Sequence, residues 1–470
     1  MYECKAVRHM RFVILIDFGS TFTKAAVVSL ERQEVVYTFR TPSTVQVNAN
    51  IGLQICFDAI GRAIGKKELA QAQVVASSSA AGGLRMVVVG LTESLSVTAG
   101  KNAAYGAGAK VIKIFSRRLA DEDIKEICRL KPEIILLCGG YEGGNSSWVL
   151  ENAEKLAKGA RLDVPVVYAG NSEIQNDIRL LFNRHQKTCI IARNIIPAIR
   201  KLDIDSSVAS VRDIFMKRIT HMKGFDTVKQ YVGNIVMPTP AAVLEGLKLL
   251  SRGTARQAGW GQVMLVDMGG ATTDVHSVAP VGAADGVHVV GAAEPVAKRT
   301  VEGDIGMRES AASLVEAGDL NRLCRRTGLT LEEVYGFVHK RIIDHSVLAS
   351  TAAERNFEQA AAMEGVYVST RRHAGRTYEG YAKGAQKVQK GKDLRSVKAI
   401  IGTGGPIIDS MDPAAILQEG LRKKAESDVL LPEEADLYLD ASYVFYAAGL
   451  LAQVDEEAAF AVLQHSLVKI

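Results

Sequence analysis

The stretch VILIDFGSTFTKAAVV, from Val13 to Val28, decides how this chain is read, because VMLVDMGGATTDVHSV, from Val263 to Val278, lies over it without a gap. Val13/Val263, Leu15/Leu265, Asp17/Asp267, Gly19/Gly269, Thr23/Thr273 and Val28/Val278 are identical, and the other strand positions are mostly apolar in both copies. Each copy is an apolar run of strand length, a carboxylate, a turn of small residues and a second β-rich run. That is the pattern of a strand-turn-strand hairpin, and its recurrence argues for an internal duplication.

The chemistry of such a hairpin is specific. Its carboxylate sits at a strand tip, where the backbone N–H groups of the following turn face outward. Gly19, Gly269 and Gly270 let that backbone approach an anion closely, and Ser20, Thr21, Thr272 and Thr273 can add hydroxyl donors. Two tips facing each other make a pincer for a polyphosphate. Asp17, Asp267 and Asp274 would repel phosphate directly, so they point to a hard cation between, Mg²⁺ held largely through water. Lys24 stands where the second copy has Asp274; it either neutralises phosphate charge or is an ordinary surface lysine of a hairpin. A third turn, Ile400-Ile-Gly-Thr-Gly-Gly-Pro406, again follows a buried strand, and its Gly402, Gly404 and Gly405 fit a turn facing adenosine. Glu302 and Asp304, in Glu302-Gly-Asp-Ile-Gly306, either cap a following helix or hydrogen-bond a ribose.

Outward from the first copy, Arg11 to Asp17, Thr23 to Ser29 and Glu34 to Phe39 predict an antiparallel meander, with a helix near Ile51 to Gly65. A strand at Gln73 to Ala76 then enters the small-residue loop Ser77 to Gly83. From Leu84 the pattern becomes a strand-helix alternation, which predicts a doubly wound parallel sheet inserted into, or elaborating, the first domain. Residues 184–255 read as mainly helical, with Pro238 and Pro240 opening a helix at Ala241 to Ser251. The meander returns at Val263 to Asp267, Thr273 to Val278 and Gly286 to Val290. Helices follow at Asp304 to Ala317, Leu331 to His345 and Thr351 to Met363, then a strand at Val397 to Ile401 and a helix at Ala441 to Ala452. The expected organisation is therefore a first domain beginning at 11–83, an α/β insertion over 84–183, a helical return over 184–255 and a second domain over 256–470. Residues 1–10 read as a polar tail.

Composition narrows the class. The 470 residues carry 57 Lys+Arg against 52 Asp+Glu, with 47% hydrophobic and 23% charged residues, the balance of a soluble multidomain protein. The longest apolar stretches, Phe12 to Ile16 and Tyr443 to Ala452, fall far short of the roughly 20 residues that cross a bilayer. With no signal-peptide pattern, the expectation is a cytoplasmic protein without a membrane partner. The six cysteines form no CxxC pair, which argues against a zinc ribbon or a disulfide framework. No Lys/Arg block interleaved with aromatics supports a nucleic-acid partner. No G-x-S-x-G elbow supports a serine hydrolase. Two further segments stay open: Cys138-Gly-Gly-Tyr-Glu-Gly-Gly-Asn145 is a second ligand or partner surface or a plain βα loop. Arg371-Arg-His-Ala-Gly-Arg376 is an anion or partner contact or a solvated loop.

The three turns, in this order, resemble the phosphate-1, phosphate-2 and adenosine motifs of the actin, sugar kinase and heat-shock ATPase superfamily. Asp267-Met-Gly-Gly-Ala-Thr-Thr-Asp274 is similar to its second hairpin, in which both aspartates approach the metal, although Ala271 replaces a glycine common in one branch. A narrower resemblance covers most of the chain. Asp17-Phe-Gly-Ser-Thr-Phe-Thr-Lys24, Ser78-Ser-Ala-Ala-Gly-Gly-Leu84, Ile134 to Asn145, Pro238-Thr-Pro-Ala-Ala242, Arg299 to Arg308 and Arg372-His-Ala-Gly375 resemble the family called MutL or GlmL. Its members are accessory proteins of glutamate mutase and other adenosylcobalamin-dependent mutases, unrelated to the DNA mismatch-repair protein of the same name. The resemblance implies an α/β fold of duplicated ribonuclease-H-like, actin-like ATPase halves with a doubly wound α/β insertion, and ATP with Mg²⁺ bound in the cleft between the halves. It implies hydrolysis by positioning and charge neutralisation, and cleft closing and opening that reactivates or chaperones an adenosylcobalamin-dependent mutase. A small-molecule kinase and a nucleotide-binding scaffold that does not hydrolyse fit the same motifs.

Overall fold

The computed structural model describes residues 11–19, 22–45, 47–79, 84–159, 162–219, 224–232, 234–282, 287–382 and 385–470. They form two compact units. The first gathers the chain up to Glu245 with Gly291–Pro295 and Tyr446–Ala459; the second holds Gly246–Val290, Val296–Phe445 and Phe460–Ile470.

In the first unit, β1 (Phe12–Phe18), β2 (Phe22–Ser29) and β3 (Glu34–Pro42) form an antiparallel meander, and β4 (Gln73–Ser78) lies parallel to β1. β1 is apolar on both faces because both are covered. One cover is the helix Ala49–Ile64, which buries Leu53, Cys56, Phe57 and Ile60 at helical spacing. Its N-cap Asn48 accepts the Asn50 N–H at 2.9 Å. The chain then builds a parallel sheet from β5 (Arg85–Val89), β6 (Lys110–Phe115), β7 (Ile134–Gly139), β8 (Val166–Gly170) and β9 (Cys189–Ile191), in the order β6-β5-β7-β8-β9. The order reverses between β5 and β7, as in doubly wound folds. After two helices β10 (Asn234–Pro238) returns beside β4, giving the order β10-β4-β1-β2-β3.

The insertion is an elaboration of the first unit rather than a separate body. Ile14, Ile16 and Ala76 of the first sheet belong to one core cluster with Met86, Val88, Ile134 and Leu136 of the second. Only the other face of the inserted sheet, with Val87, Val89, Ile135 and Leu137, has a core of its own.

The second unit repeats the first sheet. β11 (Val263–Met268) and β12 (Thr273–Val278) pair antiparallel, β13 (Val287–Val290) leaves the sheet, and β14 (Ala297–Glu302) pairs antiparallel with β12. β15 (Arg376–Ala382) and β16 (Ala385–Lys390) join β13 in a separate sheet ordered β13-β16-β15. β17 (Ala399–Thr403) lies parallel to β11, β18 (Asp436–Asp440) parallel to β17, and β19 (Leu467–Lys469) closes the edge. The order β14-β12-β11-β17-β18 matches β3-β2-β1-β4-β10 place for place. The duplication read from sixteen residues is thus a duplication of the whole ribonuclease-H-like sheet, and the fold is the expected pair of α/β halves with an inserted doubly wound sheet.

Several local expectations are corrected. The third meander strand of the second unit is β14, not the run ending at Val290, which pairs with β16 instead. Residues 184–255 hold the strands β9 and β10 as well as helices. The helix expected from Asp304 starts at Ala311, and the one opening at Thr351 runs on to His373. The tail 1–10 and positions 80–83 of the small-residue loop lie outside the described residues.

Candidate functional site

Each hairpin closes in the same way. Gly19 N–H donates to the Phe22 carbonyl at 3.0 Å, and Gly269 N–H donates to the Thr272 carbonyl at 2.9 Å. A Cβ on Gly19 would stand 2.5 Å from the Phe22 oxygen, so the turn admits no side chain there. Ser43 Oγ donates to the Gly19 carbonyl at 2.7 Å and braces the first turn. Ser20 and Thr21 lie outside the described residues.

In the first unit, Asp17, next to last in β1, lies in register with Lys24 of β2 and Ser77 of β4. It is buried, and the Thr239 hydroxyl donates to its Oδ1 at 2.6 Å. Burial pushes the carboxyl above the usual aspartate range, opposed by the Lys24 charge and by the Thr239 and Ser77 hydroxyls. Lys24 stands opposite Asp17 across β1 and β2, so its charge reaches the carboxylate. Thr239, within the Pro238-Thr-Pro240 segment, is a site neighbour that no local pattern in the sequence marks as one.

In the second unit, Asp267 and Asp274 face each other across β11 and β12. Asp274 is mostly buried and accepts a hydrogen bond from Arg299 Nη2 of β14 at 3.0 Å. Burial raises its pKa and the neighbouring guanidinium works against that rise. His276, two residues on and so on the same face, is buried with neither ring nitrogen meeting a partner among the described residues. Burial first, and Arg299 second, hold it neutral.

The turn between Asp267 and Asp274 rests on the segment after β14. Met307 N–H donates to the Gly269 carbonyl at 3.1 Å and Arg308 N–H to the Gly270 carbonyl at 2.7 Å. Thr273 is fully buried and gives its hydroxyl to the Ile305 carbonyl at 2.9 Å, so it clasps the hairpin instead of facing outward. Thr272 is half-buried in the turn.

The third turn meets the second hairpin. Thr403 ends β17 in register with Asp267, and Gly404 follows at φ +91°, where a Cβ would lie 2.0 Å from the Met268 carbonyl oxygen and 2.9 Å from an Asp267 carboxylate oxygen. Gly402 is buried inside β17 and Gly405 opens a four-residue helix. Asp440 at the end of β18 accepts the Thr403 hydroxyl at 3.0 Å and the Val444 and Phe445 N–H groups at 3.0 and 3.1 Å. Three parallel strand ends thus carry Asp267, Thr403 and Asp440 side by side.

No helix begins at Asp304, so the capping expectation is corrected, and the carboxylates of Glu302 and Asp304 are both held by Arg372 Nη1, at 2.9 and 2.7 Å. The rest of the cationic segment is likewise engaged, Arg371 by Glu426 at 2.7 Å and Arg376 by Asp428 at 2.8 Å. The loop after β7 is tied across its sheet, Glu142 accepting the Ser172 N–H at 3.1 Å and the Asn194 amide at 2.7 Å.

Among the described residues no three His, Cys, Asp or Glu side chains converge into a metal cage. Single carboxylates at the hairpin tips, Asp17 and Asp267, are hard oxygen donors of the kind that assist a cation coordinated chiefly by phosphate and water. Among the described residues no helix is long and apolar enough to cross a membrane.

Residues 13–467 match the family model described as MutL protein. A curated "Protein MutL" of Clostridium tetanomorphum is 36% identical over 460 residues, covering 97% of this chain and 99% of that one. Among solved structures, a nucleotide-free acetone carboxylase aligns over 94% of this chain and 70% of its own at 14% identity and a TM-score of 0.40. A gluconate kinase from Lactobacillus acidophilus aligns over 98% and 92% at 10% identity and a TM-score of 0.34.

Proposed function

The chain belongs to the MutL family, and from that premise we propose that it binds ATP with Mg²⁺ through its duplicated hairpins, hydrolyses it, and uses the cycle to reactivate or chaperone an adenosylcobalamin-dependent mutase of the glutamate mutase type. The observation that carries the nucleotide part is the convergence, in one unit, of the second hairpin and the third glycine turn. Gly404 brings the backbone of that turn against the Asp267 carboxylate with no side chain between them.

The chain's own groups divide the work. In the second turn the N–H groups of Gly270, Ala271 and Thr272 are suited to phosphate oxygens, which favour concave arrays of backbone donors, and the first turn would act on the phosphates in the same way through Gly19, Ser20 and Thr21. Gly402, Gly404 and Gly405 supply the turn for the adenosine end. Lys24, beside Asp17, offsets negative charge at the first tip. Mg²⁺, when bound, supplies neutralisation of the phosphate charge that develops during transfer. Asp17, Asp267 and Asp274 would hold it through its water shell.

The experiment is phosphate release from ATP by the purified chain, with and without a mutase inactivated by damaged cobalamin. Release stimulated by the mutase supports the proposal. Phosphate transferred to a small acceptor would make the chain a kinase, and nucleotide bound without release would make it a scaffold.

A further inference from the structure

We propose that the helix Leu331–Ile343 of the second unit is a docking face for a second copy of this chain, the two helices packing antiparallel about a two-fold axis.

The helix carries apolar side chains on two sides and is covered on one. Its inner face buries Val334, Val338 and Arg341. Arg341 Nε pairs with Glu358 at 2.9 Å, and Phe337 tilts against Phe357 with ring centroids 5.6 Å apart, so the helix is fixed to its neighbour Ala352–His373. Leu331, Tyr335, Ile342 and Ile343 are nevertheless exposed, and Leu348 follows them in the connecting loop, with Ile343 at 71% and Leu348 at 77%. Apolar side chains scattered singly over a surface are ordinary, whereas a cluster on one element marks an interaction site.

The spacing of the cluster selects its partner. Leu331, Tyr335, Val338 and Ile342 are separated by four, three and four residues, which at about 100° per residue puts them within about 60° of one another. That is the seam of a two-helix coil, with the buried Val338 as its floor. Glu332 and His339, seven residues apart and both exposed, flank the seam on one side.

An antiparallel copy of the same helix matches this face at every level. With the axis at the middle of the helix, Leu331 meets the partner's Ile342, Tyr335 lies over the partner's Val338, and Glu332 reaches the partner's His339. An imidazole offers at least one N–H donor in either charge state, so each carboxylate gains a hydrogen bond. The two-fold axis makes each of these contacts twice. The acidic first turn, with Glu332, also comes alongside the partner's Lys340 in the last turn, and the helix dipoles oppose favourably. A parallel copy would set Glu332 against the partner's Glu332. A helix of 13 residues is about 20 Å long, so the face is small. The dimer is therefore reversible, with a dissociation constant on the order of 10–100 µM.

Sedimentation equilibrium of the full chain across that concentration range tests this. The wild type should pass from monomer to dimer. Tyr335→Asp, which places a charge in the seam at a side chain already exposed, should weaken dimerisation by about tenfold or more while leaving the thermal midpoint unchanged. Glu332→Lys, which sets a cation against the partner's His339, should weaken it by about fivefold. Adding His339→Glu to that variant should restore wild-type dimerisation, because the charges are then exchanged across the axis. Only a pairing of this helix with itself is repaired in this way. A wild type that stays monomeric, a dimer indifferent to Tyr335→Asp, or a charge exchange that fails to rescue overturns the inference. A monomeric chain whose affinity for a mutase falls in Tyr335→Asp gives the face to that client instead, and overturns it as well.

Discussion

Gly404 joins two of the three turns at the cost of admitting only a hydrogen atom at its α-carbon, because a Cβ would overlap the Met268 carbonyl and press on Asp267. Gly404→Ala should therefore lower stability by about 1–3 kcal/mol through a left-handed, sterically blocked backbone, seen as a lower urea midpoint, and should weaken ATP binding at the same time. A variant with wild-type midpoint and affinity would show that the turn does not need the close approach. Asp267→Asn should abolish phosphate release, and retained turnover would sink its assignment. Both positions were legible in the sequence because they sit in repeated or glycine-marked motifs. Arg299 is not legible in this way, since a single arginine in a polar run gives no local sign that it will be buried against Asp274.

The same lesson holds for elements. β1, β2, β11 and β12 were legible because burial on both faces writes an apolar run, and the inserted sheet because its strands and helices alternate. β14 was missed for the converse reason. Its sequence, AKRTVE, is polar, yet Lys298 and Arg299 are buried by a hydrogen bond to the His373 carbonyl and by the ion pair with Asp274. The more apolar run Gly286 to Val290 reads as the third strand instead, and no local pattern states which sheet a strand will join.

Helix ends carry a prediction at this scale. Thr351 and Glu354 form a capping box at the start of the helix Ala352–His373, and Glu354 also accepts Lys340 Nζ at 2.6 Å from the helix Leu331–Ile343. Thr351→Ala should cost about 1 kcal/mol. The Lys340 hydrogen bond first, and the Ser350 N–H second, hold the Glu354 carboxyl well below its ordinary 4.5. A depressed carboxylate pKa stabilises the fold above the ordinary value and loses that contribution as pH falls below it. Glu354→Gln should accordingly flatten the fall in thermal stability between about pH 5 and pH 2. An acid limb identical to wild type would rule the clip out.

For the whole molecule, the shared core of the first sheet and the insertion predicts that they unfold together. Hydrogen exchange should show β1, β4, β5 and β7 opening in one step, distinct from β11 and β17. Opening of the inserted strands alone would contradict the single core. If the nucleotide reading holds, Mg-ATP at about one hundred times its Kd should add about 2.7 kcal/mol to stability by mass action. A midpoint unmoved by millimolar Mg-ATP would count against it.

The position of β10 has a consequence for how the chain is made. The first sheet is bordered by a strand that the ribosome delivers only after the entire insertion, so β4 waits with one edge unpaired while those residues emerge. At about 5–20 residues per second that interval is on the order of ten seconds, long compared with the microseconds in which a hairpin such as β1–β2 forms. Codon choice across the insertion, which sets that waiting time, should therefore tune the yield of soluble chain more than the same changes placed after β10.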